Sequence, residues 1–125
     1  MRTRIIVCGH GTTSIAGRNA LSRLVNEVRK QAPGYEVVDA FVDLQHPLLA
    51  DVVSETPGPR VVVPLLLGHD ESAVSLLESV AAGDDLVRIA PPVGPDWVLA
   101  EIGVRRLIEA GARPSDTIVL VAPHV

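Results

Sequence analysis

The sequence contains three runs of small or branched apolar residues, and each run stops at a histidine. The runs occupy residues 5–10, 61–69 and 118–124, and they end at His10, His69 and His124. Continuous apolar runs of this kind are typical of parallel strands that are buried on both faces. Ligands of open α/β sheets bind beyond the carboxyl ends of the strands. The pattern therefore predicts a parallel sheet with histidines at its ligand-binding edge.

Strand-like and helix-like segments alternate along the rest of the chain. After the first strand, further strands are predicted at residues 35–42, 60–67, 86–90 and 117–122. Between them, apolar residues recur at the i, i+3, i+4, i+7 spacing of a helix face. Helix faces are predicted at residues 21–28, 73–80 and 100–108, with a short helix at residues 48–54.

Single helices separate the strands, so the strands are expected to run parallel. The predicted fold is therefore α/β: one doubly wound, mainly parallel sheet with helices on both faces, in a single domain over residues 1–125. A strand order of 2-1-3-4-5 would make strands 1 and 3 neighbours whose connections leave on opposite faces. His10 and His69 would then face each other across the crevice between these strands.

Two imidazoles at such a crevice suit metal chemistry. Neutral imidazole binds cobalt, nickel, iron and zinc, and it also accepts a proton near neutral pH. Two histidines with few other ligands leave coordination positions open, which favours exchange or delivery of a metal over a closed structural site. Asp70 and Glu71 follow His69 directly and could supply oxygen ligands or orient an imidazole.

Composition excludes several classes of partner. The net charge of −4 and the lack of a basic stripe argue against nucleic acid. No apolar run approaches the ~20 residues that span a bilayer, and the start of the chain does not resemble a secretory signal. Cys8 is the only cysteine, so no intrachain disulfide can form. We expect a cytoplasmic protein with no membrane partner.

Five segments, taken in order, resemble the small sirohydrochlorin chelatases over essentially the whole chain. They are Gly9-His10-Gly11-Thr12, Ala16-Gly17-Arg18-Asn19, Phe41-Val42-Asp43-Leu44-Gln45-His46-Pro47, Val61-Val62-Val63-Pro64-Leu65-Leu66-Leu67 and Pro92-Val93-Gly94-Pro95-Asp96. The resemblance implies a chelatase fold and insertion of cobalt, iron or nickel into sirohydrochlorin or a related tetrapyrrole. The divalent metal is then a substrate, no organic cofactor is implied, and a homodimer is expected.

The resemblance also implies one histidine after strand 1 and another after strand 3. His10 matches the first position. The family usually has a few more residues between the Pro-Leu-Leu-Leu stretch and its second histidine. If this chain is aligned without a gap, Ser72 occupies the position of that histidine. If the chain has a short deletion there, His69 occupies it. His10 and His69 are therefore the predicted metal-binding and catalytic residues, with His10 acting as ligand and proton acceptor.

Other polar residues near His10 are candidates for binding the tetrapyrrole. The loop that begins at Gly11 and Thr12 could hold a carboxylate at a helix start, and Arg18 could pair with it. Ordinary loop chemistry and a solvated arginine explain these residues as well. His46 is interpreted as a surface or capping residue, and Cys8 as a small core residue.

Two other functions remain open from the sequence. A chelatase relative that binds metal or tetrapyrrole without turnover would keep His10 and show tight binding alone. A nucleotide or flavin domain is the weaker alternative, because the first loop has neither a G-x-G-x-x-G nor a P-loop pattern.

Overall fold

The computed structural model describes residues 3–68 and 70–121, and in these residues strands and helices alternate. The elements are β1 (Arg4–Gly9), α1 (Ile15–Gln31), β2 (Glu36–Phe41), α2 (Leu49–Glu55), β3 (Arg60–Pro64), α3 (Glu71–Ala82), β4 (Val87–Ile89) and α4 (Trp97–Glu109). His69 and His124, two of the histidines at the ends of apolar runs, lie outside the described residues.

The sheet confirms the predicted arrangement of the first four strands. Its order is β2-β1-β3-β4, and every pair of neighbours is parallel. Ile5 of β1 aligns with Val37 of β2 on one side and with Val61 of β3 on the other. Strands 1 and 3 are therefore neighbours, as the predicted crevice between them requires.

Helices cover both faces of the sheet, because alternate residues of a strand point to opposite faces. Ile6 and Val62 are fully buried in a cluster with residues of α2 and α3. Val7 and Val37 point the other way and are buried against Val25 of α1. The fold is thus α/β with two apolar layers, as predicted.

The amino-terminal edge of the sheet holds a buried arginine that the sequence analysis did not single out. Arg60 begins β3 with only 3% of its surface exposed. Its Nε donates to the carbonyl of Gly58, Nη1 donates to the carbonyl of Val53, and Nη2 pairs with the Asp84 carboxylate. The guanidinium therefore ties together the end of α2, the start of β3 and the α3–β4 turn.

The predicted fifth strand is wrong over the part of it that the structure describes. Residues 117–121 form no strand, and Leu120 is 91% exposed. A strand needs a neighbour to pair its backbone groups, and an apolar composition alone does not supply one. The preceding helix α4 also contains no buried residue. The sheet of the described chain therefore ends at β4.

None of the helices in the described parts of the chain has the length and apolar character needed to cross a membrane.

Candidate functional site

The candidate site lies at the carboxyl ends of β1 and β3. His10 follows the last residue of β1, and Asp70 is the N-cap of α3, which follows β3. The His10 Nε2 atom lies 3.3 Å from the Asp70 Oδ2 atom, and the two side chains are 46% and 23% exposed. The fold therefore brings a histidine and a carboxylate together where the sheet order reverses.

The two oxygens of Asp70 have different partners. Oδ1 accepts hydrogen bonds from the Ser72 hydroxyl at 2.8 Å and from the Ala73 amide at 3.2 Å. Oδ2 faces His10. The Ser72 hydrogen bond, followed by the Ala73 amide and the nearby His10, holds the pKa of Asp70 below its ordinary value of 3.8. The carboxylate is therefore ionised at neutral pH and can only accept hydrogen bonds.

An ionised carboxylate beside Nε2 selects the form of the His10 ring. An acceptor at that position favours a hydrogen on Nε2, which leaves the lone pair of neutral imidazole on Nδ1. Carboxylates orient metal-binding histidines in this way. The pair can thus present Nδ1 to a metal ion or to a proton.

Hydrogen bonds to the backbone and a side chain of the loop after β2 fix the position of the His10 loop. The Asp43 amide donates to the His10 carbonyl at 3.0 Å, and the Thr12 amide donates to the Gln45 side-chain oxygen at 2.9 Å. Gly11 has a φ of 102°, and a Cβ at this position would overlap the Asp43 carbonyl. Glycine is required at Gly11 on both counts.

Asp43 and Gln45 were not among the predicted site residues, although both lie in one of the segments that carry the family resemblance. Their contacts join residues more than 30 positions apart in the chain, as the spacing of 33 between Thr12 and Gln45 shows. Helical or strand periodicity gives no signal for such contacts. The clustering of these polar residues directly after a predicted strand is the one clue that the sequence offers.

The three predicted tetrapyrrole-binding residues are connected to the loop that contains His10. Gly11 and Thr12 follow it directly, and the Arg18 Nε atom donates to the Thr12 carbonyl at 3.0 Å from the first turns of α1. The Thr12 amide is already bonded to Gln45, whereas the Arg18 side chain is exposed. Of these three residues, Arg18 is the one that offers a positive charge to a ligand.

In the described residues, the structure does not bring further metal-binding side chains together at this site. His69 lies outside them, and the described chain contains no cluster of three or more histidine, cysteine, aspartate or glutamate side chains suited to a metal ion. Cys8 is buried in β1, and its burial raises the pKa of the thiol to about 11. The Cys8 thiol is therefore protonated at neutral pH and acts as a core residue.

Exposed apolar side chains follow the same edge of the sheet. Ile15, Leu44 and Leu67 come shortly after β1, β2 and β3, and they are 78%, 52% and 59% exposed. Leu44 has a φ of 68°, a conformation that is uncommon for a residue with a side chain. Parallel strands end at one edge, so these three side chains lie on the connections that leave the same edge of the sheet as His10.

Comparison with known proteins gives one family and several solved structures with a similar fold, of which two follow. The CbiX family model matches residues 4–110. A protein named as a cobalamin (vitamin B12) biosynthesis CbiX protein, from Marinobacter aquaeolei VT8, is 19% identical with a TM-score of 0.67, and the match covers 89% of this chain and 95% of that one.

The second structure is SirB from Bacillus subtilis with Fe³⁺. It is 21% identical with a TM-score of 0.71, and the match covers 90% of this chain and 49% of SirB. The chain thus spans about half the length of SirB. No curated protein matches this chain.

Proposed function

This chain belongs to the CbiX family, and on that premise we propose that it inserts a divalent metal into sirohydrochlorin or a related tetrapyrrole. The metal is cobalt, iron or nickel, each of which suits an imidazole ligand. The observation that carries the proposal is the 3.3 Å contact between His10 Nε2 and Asp70 Oδ2 at the switch point of the sheet.

His10 has two roles in the proposed reaction. Its Nδ1 atom binds the incoming metal ion and helps to replace the water that the ion loses before it enters the ring. Insertion releases two protons from pyrrole nitrogens, so charge balances as the dication enters. His10 takes one of these protons after the metal has moved to the ring, and water takes the other. Asp70 holds the His10 ring in position for this transfer.

His69 is the proposed second ligand and assists His10, as the family pattern implies. Its position directly before Asp70 in the sequence supports this role. The tetrapyrrole binds over the same edge of the sheet. Ile15, Leu44 and Leu67 contact the apolar ring, because a flat macrocycle buries most surface against exposed apolar side chains. Arg18 pairs with a peripheral carboxylate, and Gly11 and Thr12 shape the loop beneath it.

The remaining parts of the proposal concern the assembly. The chain acts as a single domain over residues 1–125, in the cytoplasm, with the metal as substrate and no organic cofactor. A homodimer supplies two such sites, with the tetrapyrrole enclosed between copies.

An anaerobic absorbance assay with sirohydrochlorin tests the proposal. Cobalt(II), iron(II) and nickel(II) are each mixed with sirohydrochlorin in the presence of the protein, of its His10→Ala variant, or of no protein. We expect the protein to accelerate insertion of at least one metal, and the variant to lose roughly 100-fold or more of this rate, as for a lost acid–base group. Both proteins should melt at similar temperatures, because His10 is nearly half exposed.

His46→Ala is the matched control, since His46 is an exposed histidine after the neighbouring strand β2. It should retain the full rate. No acceleration with any of the three metals, from folded protein, would refute the chelatase proposal; tight metal or tetrapyrrole binding in that case would identify a binding protein without turnover. Equal loss in both histidine variants would refute the role of His10.

A further inference from the structure

The turn that follows β2 has a strained backbone at one residue, Leu44. The Gln45 amide donates to the Asp43 carbonyl at 2.8 Å, so Leu44 is the central residue of a γ-turn. Its φ of 68° belongs to the rare, strained form of that turn. Among residues other than glycine in the described parts of the chain, Leu44 alone has a positive φ. Strain of this kind is concentrated at active sites and ligand clamps, which directs attention to what Leu44 does.

The turn is attached on both sides to the loop that contains His10. On one side, the Asp43 amide donates to the His10 carbonyl at 3.0 Å. On the other side, the Gln45 side-chain oxygen accepts a hydrogen bond from the Thr12 amide at 2.9 Å. A third hydrogen bond, from the Leu44 amide to the Asp43 Oδ1 atom at 2.7 Å, closes the turn. Strained backbone persists only where surrounding contacts hold it, and these three contacts do so.

Leu44 lies against the residue that follows His10. The Leu44 Cβ atom is 3.4 Å from the position that a Cβ of Gly11 would occupy. The Leu44 side chain is nevertheless 52% exposed, so the fold itself buries only part of its apolar surface. The strained turn therefore brings an accessible apolar side chain to the loop of His10.

We propose that Leu44 is a specificity-determining residue, and that its turn is strained, at the expense of stability, in order to hold an apolar contact for the tetrapyrrole next to His10. This inference rests on the proposed function and deepens it by separating one substrate contact from the metal chemistry. The contact suits the apolar face of the macrocycle close to the point of metal entry, because His10 must reach the same place. A leucine side chain recognises apolar surface and offers no ligand atom to a metal ion.

Leu44→Gly tests the proposal because its two expected effects have opposite consequences. Glycine adopts a positive φ without strain, so the melting temperature should rise by about 2–4 °C. Loss of the side chain should weaken binding of metal-free sirohydrochlorin about tenfold, measured by titration of its absorbance. In the insertion assay, KM for sirohydrochlorin should rise by a similar factor, whereas kcat and KM for the metal should not change.

Leu86→Gly is the matched control. Leu86 is 54% exposed and directly precedes β4, at the opposite edge of the sheet from His10. Its φ is not positive. The same substitution should therefore lower the melting temperature, because glycine adds freedom to the unfolded chain and relieves no strain. Binding of sirohydrochlorin should be unchanged in this variant.

A second variant, Leu44→Met, keeps an apolar side chain and the strain. It should melt at the temperature of the unaltered protein and bind sirohydrochlorin within a few-fold of it, since leucine and methionine have similar volumes. Tenfold weaker binding in Leu44→Met would mean that apolar contact is not what the position supplies, and would contradict the proposal.

Two results with Leu44→Gly would overturn the proposal. One is a melting temperature equal to or below that of the unaltered protein, which would show that the side chain supports the fold. The other is unchanged affinity for sirohydrochlorin, which would show that Leu44 makes no substrate contact. If the unaltered chain binds sirohydrochlorin and inserts metal, either result concerns Leu44 alone. An unaltered chain that binds no sirohydrochlorin would overturn the proposed function and this inference together.

Discussion

The two ends of the sheet each hold an aspartate paired with a basic side chain, but in opposite surroundings. At the carboxyl end, Asp70 faces a His10 side chain that is 46% exposed. At the amino end, Asp84 faces an Arg60 side chain that is 3% exposed. An ion pair alone therefore does not distinguish a contact that can take part in a reaction from one that only holds the fold together. The distinction depends on how buried the pair is and on the hydrogen-bonding capacity that the basic group has left.

The two basic side chains differ in how many of their nitrogen atoms are already bonded within the chain. All three nitrogens of the Arg60 guanidinium are engaged by the chain itself. His10 meets Asp70 with its Nε2 atom alone, and its side chain is nearly half exposed. An always-charged guanidinium cannot exchange a proton near neutral pH, whereas imidazole can. We therefore expect substitutions in the Arg60–Asp84 pair to lower stability and substitutions in the His10–Asp70 pair to lower activity.

The largest expected effect in this comparison is on stability, at the amino end. Arg60→Leu removes the buried guanidinium and leaves the carbonyls of Val53 and Gly58 without their donor, which costs about 2–3 kcal/mol. Thermal unfolding followed by circular dichroism should show a fall in melting temperature of roughly 5–10 °C. Below that temperature, metal insertion should keep its rate. An unchanged melting temperature would contradict the structural role of Arg60.

The next effect is on activity, at the carboxyl end. Asp70→Asn keeps an oxygen for the Ser72 hydroxyl and the Ala73 amide but removes the charge that faces His10. We expect the insertion rate to fall about tenfold, as for other carboxylates that orient a metal-binding histidine. The measurement is the initial rate with the preferred metal. A rate equal to that of the unaltered protein would show that His10 acts without Asp70, and a large fall in melting temperature would remove the distinction between the two ends.

The smallest effect is the dependence of stability on pH at the amino end. The Leu86 amide, and then Arg60, hold the pKa of Asp84 below its ordinary value of 3.8. A carboxylate with a lowered pKa stabilises the fold above its ordinary pKa, and this contribution is lost as pH falls through the lower folded-state value.

Asp84→Asn should therefore melt at a lower temperature than the unaltered protein at pH 7, with the difference shrinking below about pH 4. Melting curves across this pH range measure it. Asp85→Asn, at the neighbouring exposed position, controls for the removal of one negative charge. A difference that stays constant through pH 4 would mean that the charge on Asp84 contributes nothing.

Much of the fold could be predicted because strands and crossover helices leave a local record in the sequence. The apolar runs that contain Ile6 and Val62 are buried strands, and the helix-spaced residues around Val25 face the core. Segment ends were less accurate: β3 ends at Pro64, before the predicted residue 67. The run at residues 118–121 has the same apolar composition as the buried strands, so its exposure could not be read from composition.

The arrangement of the candidate site could be predicted in part. His10 was proposed because it ends a strand and matches a family segment, and Asp70 was noted only as a possible ligand or orienting group beside His69. The assignment of the two Asp70 oxygens depends on the helix start at Ser72 and Ala73. The support from Gln45 depends on the approach of two loops. These contacts arise from the meeting of segments, which spacing along the chain does not encode.

By itself, the sequence determined the alternation of strands and helices, the parallel sheet, and the position of His10 at a strand end. These features could be predicted because apolar periodicity and the residues that end strands and helices act locally along the chain. Only the tertiary structure decided that Asp70 faces His10, that Arg60 is buried, that residues 117–121 form no strand, and that one side of α4 stays exposed. Hydrogen bonds and burial depend on which distant segments meet, and each of these four outcomes is set by such a meeting or by its absence in the described chain.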